Sequence, residues 1–143
     1  MQEKIEPPTL REFIEAVREA FAFLQQFGFR EVSPPPHRTG DSFQVWFRAD
    51  RRVVIIKGEG HGTMASVTLE HDDGLELPEI DLVPLEDRPR RKGKSRNIQS
   101  GQLQQVREAA RRLEAHGADF LSGDLARFLS CARPLPLYKR SSE

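Results

Sequence analysis

Val53 to Lys57 constrain the fold more than any other stretch, because four of these five residues are β-branched. Such side chains pack well on a pleated surface, and a run without polar alternation has no face to give to water. It predicts a central strand covered on both sides. On one side of it in sequence, Phe43, Val45 and Phe47 alternate with Gln44, Trp46 and Arg48; on the other, Ala65, Val67 and Leu69 alternate with Met64, Ser66 and Thr68. Both have the period of a half-buried strand. Tight links at Asp50–Arg52 and Asp72–Gly74 favour an antiparallel meander. Phe29 to Val32 adds a further short strand, for about four in all.

Helical signals bracket these strands. Thr9 and Glu12 have the spacing of a capping box, and Leu10, Phe13, Ile14, Val17, Ala20, Phe21 and Leu24 then recur on one helical face until Gly28 supplies a left-handed stop. A second helix is expected from Gln102 to His116, burying Leu103, Val106, Ala110 and Leu113 and stopping at Gly117. Asp124 is placed to cap a last short helix through Cys131 that presents Leu125, Phe128 and Leu129. Ser33 to Asp41, with Pro34, Pro35 and Pro36 in succession, reads as a semi-rigid extended connector. Leu75 to Pro89 is interrupted by prolines at 78, 84 and 89 and is expected to be extended or in short helical turns.

A chain of 143 residues can bury one core of ordinary size. The sequence therefore predicts a single α+β domain over 1–143: an N-terminal helix, an antiparallel sheet of about four strands, and C-terminal helices packed on the sheet. Residues 88–101 are expected to form a mobile basic loop and 134–143 an extended C-terminal tail. The expected core is Phe13, Val17, Phe21, Phe43, Phe47, Ile55, Val67, Leu103, Val106 and Phe128.

The 22 Lys and Arg balance 22 Asp and Glu, so no global field recruits nucleic acid or an anionic membrane. The charge is nevertheless uneven. Glu70 to Asp87 holds eight acids and no Lys or Arg, whereas six of the nine residues from Arg88 to Arg96 are basic. No apolar run approaches the roughly 20 residues of a spanning helix, and Met1 to Pro8 lacks the basic head and apolar stretch of a secretion signal. The single cysteine, Cys131, falls in an apolar helical pattern that suggests burial and suits a reducing compartment. A cytoplasmic location is expected, with no membrane partner.

Signals for chemistry are weak. His37, His61, His71 and His116 do not pair at the short spacings used by helical or knuckle-type metal ligation, so no metal and no cofactor is expected. His61 lies between Gly60 and Gly62, but the stretch lacks a following lysine with Ser or Thr and lacks a helix opening, so neither phosphate fingerprint is met. No serine sits in a nucleophile motif, and Cys131 at a helix end is in the wrong field for a reactive thiol. The carboxylates between Glu70 and Asp87 read as a solvated surface more readily than as an acid and base pair. No catalytic residue is assigned.

Two features concern binding instead. Alternation places Trp46 opposite Phe43, Val45 and Phe47, beside Gln44 and Arg48, and Met64 on the corresponding face of the later strand. If that face is open it displays the only tryptophan; alternatively the segment after Gly74 or the final tail covers it. The second feature is the basic run of Arg88, Arg90, Arg91, Lys92, Lys94 and Arg96, which can grip phosphates but has no aromatic residue to stack bases.

Leu10 to Glu31, with its phenylalanine-rich helix ending in Phe27, Gly28 and Phe29, the meander, and Gly123, Asp124 and Leu125 near the end together resemble small bacterial α+β proteins, some of them like the immunity partners of secreted toxins. The resemblance implies a partner-binding protein, and the basic run 88–96 departs from it. The first expectation is a non-enzymatic protein that binds another protein, such as a basic toxin, as an immunity or adaptor protein. Its site residues would be Trp46, Arg48, Met64, Asp72, Asp73, Glu76, Glu79 and Asp81, the acids steering the partner. A nucleic-acid module using the basic run is the alternative, and an enzyme built on His61 with Glu59 or Asp41 is a third.

Overall fold

The structure, a computed structural model, describes residues 8–39, 43–59, 64–87 and 101–139. Helix α1 (Leu10–Ala20) starts as the sequence requires: Thr9 Oγ1 accepts from the Glu12 amide at 3.1 Å, and the Glu12 carboxylate accepts from the Thr9 amide at 2.9 Å. The apolar periodicity continues past Ala20, but the chain tightens there into a 3₁₀ turn, Ala22–Phe27, before Gly28 closes it at φ 85°. The single helix expected up to Gly28 is thus two elements, and the tighter winding seats Leu24 in the core while Phe23 and Phe27 pack at its margin.

Six strands follow as an antiparallel meander in chain order: β1 (Arg30–Val32), β2 (Phe43–Ala49), β3 (Arg52–Glu59), β4 (Met64–His71), β5 (Leu75–Pro78) and β6 (Arg133–Pro134). The four strands expected are β1 to β4. β5 and β6 are additional, being a short proline-ended strand and a two-residue edge whose partner lies far away in sequence. Between β1 and β2 the connector is not extended throughout, because Pro36 opens a helical turn, α2 (Pro36–Thr39). Helices α3 (Gln102–His116), α4 (Ala118–Ser122) and α5 (Ala126–Cys131) follow the sheet's fifth strand. Of the segment expected over Leu75–Pro89, the described residues after β5 hold 3₁₀ turns at Glu79–Leu82 and Leu85–Asp87, and residues 88 and 89 lie outside the described residues.

The core lies between one sheet face and these helices. Phe47, Val54, Leu69 and Leu77 form one cross-strand row and Val45, Ile56 and Val67 another, packed under Phe13, Val17, Val106, Leu113, Phe120 and Phe128. Phe43 and Leu103 are only partly buried against this core, and Ile55 belongs to the opposite face. Arg52 closes the far end: Nη1 donates to the Phe120 carbonyl at 3.1 Å and to that of Leu121, with the guanidinium 5.2 Å from the Phe29 ring centre. Cys131 is exposed, which corrects the expectation of burial, because the side chain α5 sends inward is Phe128. Among the described residues no helix is long and apolar enough to cross a membrane.

Candidate interaction surface

The sheet face turned away from the core carries a second, smaller apolar cluster: Trp46, Val53 and Ile55, with Val32 against it. Strand pairing builds it. Val32, Trp46, Ile55, Thr68 and Pro78 align across the strands in one row, and Arg30, Arg48, Val53, Glu70, Glu76 and Arg133 in the next. Alternation therefore placed Trp46 on the correct side. It is nevertheless 4% exposed, so the expectation that this face displays the indole is corrected.

The cover comes from α2. The Arg38 guanidinium lies 4.8 Å from the centre of the Trp46 ring, and its two terminal nitrogens donate to both oxygens of Glu70, at 3.2 and 2.5 Å. The side chains of both Arg38 and Glu70 are about nine-tenths buried, which makes this a bidentate ion pair in a poorly solvated place. Trp46 Nε1 donates to Gln44 Oε1 at 2.8 Å, and Gln44 Nε2 donates to the Arg38 carbonyl at 2.7 Å, tying turn to ring.

Over this turn lies the segment Leu135–Lys139, the described part of the extended tail expected for 134–143, whose residues 140–143 lie outside the described residues. After β6 the Leu135 amide donates to the Gly74 carbonyl at 2.8 Å, and residues Leu137–Lys139 form a 3₁₀ turn. Lys139 Nζ donates to Glu76 Oε1 at 2.8 Å, while the Lys139 carbonyl lies 3.3 Å from His37 Nε2 and 3.4 Å from Arg38 Nη1. Leu137 and Tyr138 point the other way and are 81% and 76% exposed. The segment is a strap whose lysine and main chain are bonded to the sheet and to α2, with its Leu135 and Pro136 half-buried.

No known family, curated protein or solved structure matches the chain. What the surface can do must be read from its own residues.

The acids expected to steer a partner are mostly engaged within the chain. Arg48 donates to both oxygens of Asp72, Arg51 to Asp73 at 2.7 Å, and Lys139 to Glu76. Glu79 is buried on the helix side, where Arg112 donates to it at 2.6 Å. Burial pushes the Glu79 carboxyl above its ordinary range, more strongly than the Arg112 hydrogen bond and charge pull it down. It thus belongs to the packing of α3, as a correction to its place in the expected site; the reading of the acidic run as solvated is corrected at Glu70 and Glu79, while Asp72, Asp73, Glu86 and Asp87 are exposed. Asp81 is half-buried in the same 3₁₀ turn as Glu79. Met64 shares the Trp46 face and is 43% exposed, but it sits at the other end of β4 from Glu70. The basic residues Arg88, Arg90, Arg91, Lys92, Lys94 and Arg96 lie outside the described residues, as do His61 and Asp41 of the enzyme reading. Glu59 of that reading pairs loosely with Lys57 at 3.7 Å.

Residues the sequence reading did not single out, Arg38 and Lys139 above all, do most to shape this face. The signal for Arg38 was available: three prolines fix the direction of the chain just before it, so His37 and Arg38 are held in place. Nothing local marks Lys139, whose partner lies 63 residues away.

A groove of about 640 Å³ lies on the helix side of the sheet edge, with walls that include Phe21, Leu24, Phe29 and Phe47. Arg18 donates to both carboxylate oxygens of Glu31 at its lip, at 2.8 and 3.1 Å, and that hydrogen bond raises the Arg18 pKa above its ordinary value. Among the described residues no three His, Cys, Asp or Glu side chains are grouped to hold a metal ion.

Proposed function

We propose that this is a non-enzymatic protein that binds another protein through the sheet face turned away from the core, the face around Trp46 and Glu76. One observation carries the reading: the turn that covers an aromatic and aliphatic cluster is itself crossed by a strap whose Leu137 and Tyr138 face solvent. A layer that existed only to complete the fold would turn those side chains inward, since burying each would contribute roughly 1.5 to 3 kcal/mol. Here the strap is fastened by a few polar contacts and a two-residue strand edge, contacts that a partner can replace in kind. An immunity or adaptor role is work of this kind, in which one protein occupies another without chemistry.

The test places a photo-crosslinking residue at Ser66, exposed on this face, and separately at Glu114, exposed on α3. A discrete protein captured from the native host at Ser66 and not at Glu114, and rebinding when purified, is the expected result. Identical capture at the two positions would count against the reading.

A further inference from the structure

We infer that the ground beneath Leu135–Lys139 is a peptide-binding site for an extended, lysine-bearing segment of a partner protein, and that the chain's own strap is its resident competitor. The inference rests on the reading of this face as a recognition surface and names what it recognises.

Three observations converge. The strap is held as a bound peptide is held, by main chain and one charged side chain: the Leu135 amide on Gly74, the Lys139 carbonyl near His37 and Arg38, and the Lys139 ammonium on Glu76. Its attachment as a strand is slight, because β6 pairs with β5 over only two residues, Arg133 and Pro134, and Pro134 has no amide to donate. The third observation fixes the chemistry of the occupant. Glu70 on the same face is satisfied from within by Arg38, whereas among the described residues Glu76 is ion-paired with the strap's own lysine.

The Glu76 side chain is 14% exposed. That burial includes the strap's own cover, so when the strap lifts the carboxylate loses its paired lysine and stands directly across the strands from Glu70, leaving unbalanced negative charge on this face. An occupant that brings a cation to the same point recovers the pairing that the strap's lysine makes. A lysine on an extended segment does this: its carbonyl takes the donors of His37 and Arg38, and its flanking residues are left unspecified, as Leu137 and Tyr138 are. In cis the strap competes at a high effective concentration, so a free peptide binds appreciably only when the strap is weakened or the partner adds contacts elsewhere on the face.

The probe is a fluorescein-labelled peptide with the sequence Arg133–Glu143 of this chain, titrated into the full-length wild type and into full-length Lys139→Ala. We expect Lys139→Ala to bind it at least about tenfold more tightly than wild type, because its own strap no longer fills the site. A peptide with alanine in place of its lysine should lose at least about tenfold, and adding Glu76→Gln to the Lys139→Ala protein should remove the gain. Far-ultraviolet circular dichroism shows that each variant is folded. Equal affinity for wild type and Lys139→Ala, no binding to either, or indifference to the peptide lysine would each overturn the inference. Specific capture of a protein at Ser66 alongside any of those results would leave recognition by this face standing and remove only the lysine-bearing segment, so the two claims fail separately.

Discussion

Arg38 stacks over Trp46, its guanidinium 4.8 Å from the ring centre, and the same guanidinium holds Glu70 with two hydrogen bonds. One side chain thus closes the apolar cluster and neutralises a carboxylate that the sheet has carried out of water. Arg38→Ala should cost about 3 kcal/mol, since it leaves Glu70 buried without a partner, and should shift Trp46 emission to longer wavelength. Arg38→Lys should restore little, because an ammonium can neither stack as a plane nor engage both oxygens in parallel. Urea denaturation followed by tryptophan fluorescence checks both.

The pair Arg112 and Glu79 predicts an asymmetry. Glu79 is 3% exposed while the Arg112 side chain is 24% exposed, so removing the arginine strands a buried charge, whereas removing the carboxylate leaves a cation that can reach solvent. At neutral pH Arg112→Met should destabilise by about 3 kcal/mol and Glu79→Gln by much less.

The raised Glu79 pKa also fixes the sign of a pH effect. Its neutral form suits the folded chain better than the charged form does, so its contribution to stability is full below the ordinary glutamate pKa and is lost as pH rises through the higher folded value. Stability relative to Glu79→Gln should accordingly fall between acidic and neutral pH. Paired thermal melts of the two proteins from pH 4 to pH 7 measure it, and a difference that grows in the opposite direction would contradict the burial argument.

Arg52 joins the start of β3 to the carbonyls of Phe120 and Leu121 in α4 while lying over Phe29. Arg52→Met keeps much of the packing and removes the charged hydrogen bonds, at an expected cost of about 2 kcal/mol. Amide hydrogen exchange should quicken in Ala118–Ser122 more than in α1, which would separate a local clamp from a general loss of stability.

Gly58 has no room for a methyl group. A Cβ there would stand 2.7 Å from Gln102 Nε2 and 2.8 Å from Phe13 Cε1, where α1 and α3 both meet β3. Gly58→Ala should therefore cost about 1 to 3 kcal/mol by forcing those side chains apart, and chemical denaturation gives the figure directly.

The capping box at Thr9, the left-handed stop at Gly28, the bounds of α3, the alternation in β2 and β4 and the β-branched run of β3 were all legible in the sequence, because each depends on residues within a turn or a strand of one another. By the same local logic Trp46 was assigned to the correct side of the sheet. Period two states which way a side chain points, but not what comes to meet it. Arg38 reaches Trp46 through a proline-set turn, and Lys139 reaches Glu76 from the far end of the chain, so only the folded arrangement decides that the indole is covered and the acids are paired. β5 and β6 escaped notice for the same reason: a short strand ending in proline gains its identity from the strand beside it, and hydrogen bonds to a distant neighbour leave no mark on local composition.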